Sequence, residues 1–365
     1  MPSYRLSIDK LSPCVHGGIN YTELNKLGIP PYGVLDFSVS INPFGPPPGI
    51  SESLSSISLE NYPDPESTEL RTELAAKLGI SPDNIVVGSG STELIRLVTT
   101  AFLDRDDPVI IPVPTYGEYQ IAGQLSGAQI IPQPVLRPPD FRLDIDETIK
   151  LIRKHRPKII FICNPNNPTG QYLSKQDLNN IMSNISDGLI VLDEAYVAFT
   201  ENAWTSTDLI DSGNLIILRS MTKDYALAGL RLGYALASEP IISILRRVLP
   251  PWNVNSVAQK AGILVLQSDM HLKGCFNKIK KSKKFLINEL ERLGFVIVPS
   301  QTNFFLVHVG DATGFRQKLL SKGILVRDCT SFGLAEYIRL SLRSIPECQR
   351  LIEGIKESGV SSDDG

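Results

Sequence analysis

Four polar sequences stand where apolar runs end, and their side chains are the ones in this chain that could do chemistry together. Gly88-Ser89-Gly90-Ser91-Thr92-Glu93 leaves an apolar run and enters a helical one. Its glycines permit close backbone approach, and free helix N–H groups with the hydroxyls of Ser91 and Thr92 can bind a phosphate. The same residues also read as a tight turn with Ser91 capping a helix. Asn164-Pro165-Asn166-Asn167-Pro168-Thr169-Gly170 offers amides on a proline-stiffened loop over a ligand, or a simple turn. Asp193-Glu194-Ala195-Tyr196 follows Leu189-Ile190-Val191-Leu192 directly. A carboxylate there needs a cation to stay ionised, and either a protonated heterocycle or a buried salt bridge would serve.

The fourth ending is Ser220-Met221-Thr222-Lys223, followed by Gly229-Leu230-Arg231-Leu232-Gly233-Tyr234. A lysine is usually a surface charge. One at a strand exit, facing the other polar endings, can instead supply the amine that imine chemistry requires. Together the four provide a phosphate cradle, an acid for a ring nitrogen, donors for a ring oxygen and an imine-forming lysine. Those are the needs of pyridoxal phosphate.

Positioning such groups takes a sheet whose strands end along one edge, because ligands in open α/β sheets collect beyond the carboxyl ends of the strands. From residue 85 onward the pattern is strand, turn and helix repeated, with short runs rich in Ile and Val. It predicts an α/β fold with a mostly parallel sheet between helices. A smaller α+β domain follows, with a long helical region over 254–293. The expected division is an N-terminal arm at 1–50, a large cofactor-binding domain at 51–255, a small domain at 256–357 and a flexible tail at 358–365.

With 365 residues, 42% of them hydrophobic and 21% charged, the chain can fill more than one core and still present a polar surface. The net charge of −3 gives no broad reason to hold nucleic acid. Lys278-Ile279-Lys280-Lys281-Ser282-Lys283-Lys284 reads as the solvated face of a helix. No run of eighteen apolar residues predicts a membrane span, and no secretory segment opens the chain, so a cytoplasmic location is the default. The five cysteines have no zinc-ligand spacing, so no metal is expected.

These motifs, in this order, resemble fold type I pyridoxal-phosphate enzymes over residues 14–357, and within them threonine-phosphate decarboxylases and histidinol-phosphate aminotransferases; the resemblance implies that the mostly parallel sheet of the large domain has seven strands. The resemblance implies that Lys223 carries the cofactor, that Asp193 partners the pyridine nitrogen and that Asn167 and Tyr196 donate to the ring hydroxyl. It assigns Gly90, Ser91, Thr92, Ser220 and Arg231 to the cofactor phosphate and Tyr116 to stacking on the ring. Tyr62 matches a residue that reaches a neighbouring subunit's cofactor, which implies a homodimer. Arg339 matches a grip on the substrate carboxylate.

His16-Gly17-Gly18 and the stretch from Asp36 to Pro46 look like the arm of the decarboxylases. There His16, Asn42 and Arg327 would bind a phosphorylated amino acid. The expected reaction is decarboxylation of L-threonine O-3-phosphate to (R)-1-amino-2-propanol O-2-phosphate in cobalamin biosynthesis. The alternatives are transamination of histidinol phosphate with 2-oxoglutarate, and a decarboxylase preferring L-serine O-phosphate.

Overall fold

The computed structural model describes residues 8, 11, 13–136, 138 and 140–359. Part of the arm expected over 1–50, and the expected tail from 360 on, lie outside them.

The strands form where β-branched runs meet polar turns. After β1 (Leu35–Asp36) in the arm come β2 (Ile85–Gly88), β3 (Pro108–Val113), β4 (Gln129–Pro134), β5 (Ile159–Cys163), β6 (Leu189–Asp193), β7 (Leu215–Ser220) and β8 (Gly233–Leu236). β2 to β8 make one seven-stranded sheet of order β2-β8-β7-β6-β5-β3-β4. Only β8 runs against its neighbours. Side chains alternate between two cores: Ile160, Ile190 and Ile217 pack on one face, and Phe161, Val191 and Leu218 on the other. This period of two explains why the central strands read as unbroken apolar runs, since both faces are covered.

Edge strand β4 has no apolar run to announce it, because Pro132 and Pro134 interrupt it. Prolines are tolerated at a sheet edge, where one side of the backbone needs no ladder partner.

The remaining strands are β9 (Val296–Ile297), β10 (Phe304–His308), β11 (Ile324–Leu325), β12 (Arg327–Asp328) and β13 (Tyr337–Ser341). An antiparallel sheet of order β12-β13-β10-β9 covers a separate core containing Phe305, Val307, Leu340 and Leu286. The helical region expected over 254–293 is in fact two helices, Ser256–Val265 and Asp269–Arg292. The first buries Ala258, Ala261 and Val265 against the large sheet's core, and the second buries Leu286 and Leu290 in the other. The second helix also buries Leu272 in the large sheet's core, so it runs from one core to the other. Lys283 departs from the expected solvated face: its ammonium donates to the carbonyls of Ser300 and Thr302 at 2.6 and 2.9 Å.

The arm joins this second region. β1 pairs in parallel with β11, and the Phe37 backbone donates to Leu325 and accepts from Ser341. Among the described residues no helix is long and apolar enough to cross a membrane.

Candidate active site

β2, β3, β5, β6 and β7 end along one edge of the large sheet, and most of the predicted groups sit there. A cavity of about 150 Å³ is lined by Ser91, Thr92, Tyr116, Asn167, Asp193, Tyr196, Ser220, Lys223 and Arg231, and from the arm and small sheet by His16, Arg327 and Arg339.

The phosphate-cradle candidate depends on two glycines. Gly90 has φ +78°, and a Cβ there would stand 2.8 Å from Nη2 of Arg231. At Gly233 a Cβ would meet the Ser91 backbone nitrogen at 3.0 Å. Glycine at both positions lets the ends of β2 and β8 approach until Arg231 lies over the turn. Ser91 is the first residue of the helix Ser91–Phe102, and no side chain caps its start. Ser91 therefore does not cap the helix, and the opening N–H groups have no side-chain acceptor. Ser220 and Thr222 share a hydroxyl hydrogen bond of 2.7 Å beside the cradle.

Asp193 ends β6 and is 3% exposed. Burial pushes its carboxyl pKa upward, while hydrogen bonds from Tyr119 and the Ala195 backbone, and the charge of Lys223, pull the other way. The Tyr119 hydroxyl donates at 2.8 Å and the Ala195 N–H at 2.9 Å. Cys163 ends the neighbouring strand, and burial with the nearby Asp193 charge pushes its thiol up to about 12. Lys223 Nζ lies 5.7 Å from the ring centre of Tyr196. Tyr116 shares a 3.1 Å hydroxyl contact with Thr92 and lies 5.9 Å, ring to ring, from His16.

Arg327 and Arg339 are direct cross-strand partners on β12 and β13. Both are buried, at 6% and 5% exposure. Arg327 donates to the Val15 carbonyl and Ser331 Oγ, each at 2.7 Å. Arg339 donates to the Asn167 side-chain oxygen and, at 2.7 Å, to the Ser38 carbonyl. Its Nε is buried without a partner among the described residues. Like charges placed directly opposite repel, and neutral oxygens alone leave that repulsion uncompensated. An anion between them would relieve it.

Two expected site residues stand elsewhere. Asn42 does not line the cavity: its amide donates to the Asp224 carbonyl at 2.9 Å and its oxygen accepts from Phe44. Its backbone N–H donates 2.8 Å to the Lys223 carbonyl, so it braces the lysine rather than facing a substrate. Tyr62 is 76% exposed and stacks on Trp252 at 4.3 Å, outside the cavity. Conversely, Tyr119, Cys163 and Ser38 belong to the site without a signal at the level of motifs. Tyr119 is the partial exception, since it stands three residues after Tyr116, whose ring it meets edge-on at 5.6 Å.

A family model described as aminotransferase class I and II matches residues 32–355. A histidinol-phosphate aminotransferase of Thermoanaerobacter sp. (strain X514) is 42% identical over 311 residues, 84% of this chain and 87% of that protein. The structure of histidinol-phosphate aminotransferase from Sinorhizobium meliloti, in complex with pyridoxal-5'-phosphate, has a TM-score of 0.87 at 23% identity and covers 98% of both chains. That of L-threonine-O-3-phosphate decarboxylase from Porphyromonas gingivalis has a TM-score of 0.78 at 26% identity, covering 88% of this chain and 98% of that one. The fold is that of the fold type I pyridoxal-phosphate enzymes.

Proposed function

The chain belongs to the class I and II aminotransferase family, and from that premise we propose that it transaminates histidinol phosphate, with 2-oxoglutarate as the amino acceptor. Its cofactor is pyridoxal 5'-phosphate. The observation that carries a phosphorylated substrate is the buried, cross-strand pair Arg327 and Arg339. The choice of reaction follows the name of the 42% identical relative, in preference to the decarboxylation expected from the arm.

The donor set fits the cofactor. Gly90, Ser91, Thr92, Ser220 and Arg231 would hold its phosphate. Asp193 would face its pyridine nitrogen, Asn167 and Tyr196 its ring hydroxyl, Tyr116 its ring face, and Lys223 would bind it covalently. When bound, the cofactor supplies an electron-withdrawing ring that stabilises the charge left on a substrate carbon.

This chain's own residues set up the rest. The Tyr119 hydroxyl and Ala195 N–H favour the anionic form of Asp193, which can then hold a proton on a heterocyclic nitrogen. Lys223 Nζ is the base that takes the proton from the substrate carbon bearing the amine, and the acid that returns it. The arginine pair grips the phosphate of the donor and, in the second half-reaction, the carboxylates of the acceptor. Charge-assisted contacts on both sides fix which bond of the reacting carbon faces Lys223. We include in the proposal a homodimer in which the exposed Tyr62 serves the neighbouring subunit.

A second reading, decarboxylation of L-threonine O-3-phosphate, is favoured by one feature. His16 joins Arg327 and Arg339 at the same cavity, offering separate anchors for the phosphate and carboxylate of one small molecule. In that case Lys223 Nζ would protonate the carbon that carbon dioxide leaves. Two incubations separate the readings. Glutamate formed from histidinol phosphate and 2-oxoglutarate, with no gas from threonine phosphate alone, supports the transaminase. Carbon dioxide from threonine phosphate without an acceptor, and no glutamate in the other tube, reverses the choice.

A further inference from the structure

Cys14 and the exposed His16 line the cavity on the arm's side, and Cys14 Sγ, a ring nitrogen of His16 and a carboxylate oxygen of Glu118 lie within 4.8 Å of one another. The sequence gives no zinc spacing here, because 102 positions separate His16 from Glu118 (118 − 16). The fold closes that gap.

Cys14 and His16 are alternate residues of a non-helical segment, a spacing that turns side chains to one side of an extended chain. Glu118 opens the helix Glu118–Ser126, and is itself 5% exposed. The residue before it is glycine, and a Cβ at Gly117 would stand 2.9 Å from Cys14 Sγ. The missing side chain is therefore what lets the thiol settle beside the carboxylate. The two carboxylate oxygens are divided: Oε1 is 3.5 Å from His16 Nε2, and Oε2 takes Arg96 at 3.1 Å. One oxygen is thus held by an arginine, and the other points at the imidazole.

We propose that Cys14, His16 and Glu118 form a three-ligand site for a zinc-type divalent cation that fastens the arm beside the cavity. Thiolate, imidazole and carboxylate are the donors zinc takes, and three protein ligands leave a fourth position for water or a substrate oxygen. On binding, the Cys14 thiol gives its proton to solvent as the metal–sulfur bond forms, His16 binds through a neutral nitrogen, and Glu118 contributes its charge. The two anionic ligands then balance the cation. Arg96 on Glu118, and Arg327 close to Cys14, oppose a further positive charge. The site therefore suits a reversible ligand rather than a permanent structural ion. Because Cys14 and His16 also line the cavity, the metal would hold the arm shut and withdraw His16 from any substrate.

The test uses the cofactor-loaded protein, stripped with a chelator and titrated with zinc alone by equilibrium dialysis. One zinc per chain is expected, with the affinity at least tenfold weaker in both Cys14→Ser and Glu118→Gln, each checked for an unchanged cofactor absorption spectrum. Cadmium should give an ultraviolet thiolate band in the parent protein that Cys14→Ser lacks. With either candidate substrate, zinc inhibition should shift to higher concentration in Cys14→Ser by the same factor as the affinity. Zinc bound equally tightly by the parent and both variants, with a cadmium band that survives Cys14→Ser, overturns the site. The binding measurements need no substrate, so an error in the proposed reaction leaves them interpretable.

Discussion

The phenol of Tyr119 donates a 2.8 Å hydrogen bond to Oδ2 of Asp193, and both side chains are sealed from solvent. Tyr119 is also stacked on Phe161 at 4.9 Å, which fixes the direction of its hydroxyl. A hydrogen bond to a charged group contributes about 1.5–3 kcal/mol. Tyr119→Phe removes it with little change in shape. Turnover at saturating cofactor should fall about 10- to 100-fold with the fold intact. Unchanged turnover in a cofactor-saturated Tyr119→Phe protein would show that Asp193 does not depend on this donor.

Lys223→Ala should lose covalent attachment. Borohydride treatment of the parent protein should fix the cofactor on a single peptide containing Lys223, found by mass spectrometry, and fix none in the variant. Label on any other lysine would contradict the assignment. Asp193→Ala should retain part of the cofactor but almost no turnover, because the ring nitrogen loses its counter-charge.

Replacing either member of the arginine pair should act on substrate rather than cofactor. Arg327→Ala leaves Arg231 in place, so the visible spectrum of the bound cofactor should survive. The specificity constant for a phosphorylated substrate should drop by about 2–5 kcal/mol, the cost of losing one partner of a buried charged contact. The unphosphorylated amine should lose far less. Equal losses for both compounds would remove Arg327 from phosphate recognition.

Asp224 gives a pH dependence of stability that is independent of catalysis. Burial pushes its carboxyl from 3.8 up to about 7, against hydrogen bonds from nearby backbone N–H groups. The folded state thus holds this proton more tightly than the unfolded chain. Its contribution is complete below about pH 4 and is lost as the pH rises through about 7. Asp224→Asn should flatten that part of the profile, so the denaturation midpoints of variant and parent should diverge between about pH 4 and about pH 7. Parallel curves would place the carboxyl in contact with water.

Much of the site is legible in the sequence because parallel strands deliver their ends to one edge. Ser91, Asn167, Asp193 and Lys223 each follow an apolar run, so finding the runs locates the residues. Other parts depend on relations that local patterns do not encode. Arg327 and Arg339 stand twelve positions apart in the chain, and only the β12–β13 register sets them side by side. Asn42 has the composition of a ligand contact, yet its amide is spent on the Asp224 carbonyl and the Phe44 backbone. Tyr119 looks like one more core aromatic until its hydroxyl is traced to Asp193. The break between the helices Ser256–Val265 and Asp269–Arg292 falls at Leu266-Gln267-Ser268, with no glycine or proline to announce it.

The arm's contacts also impose an order of assembly. The Ser38 carbonyl meets Arg339 across 301 positions, and the Val15 carbonyl meets Arg327 across 312. At ordinary rates of synthesis the arm leaves the ribosome about 15–60 s before those arginines are made. The large sheet, with its nearer pairings, has its strands complete well before then. A nascent chain can therefore own a finished cofactor cradle while its substrate pocket is still open on one side. Closing that side brings together segments far apart in the chain, the kind of contact whose loop-closure cost makes it slow to form. Truncation from either end should then spare the cradle longer than the pocket, so specificity would be lost before the fold.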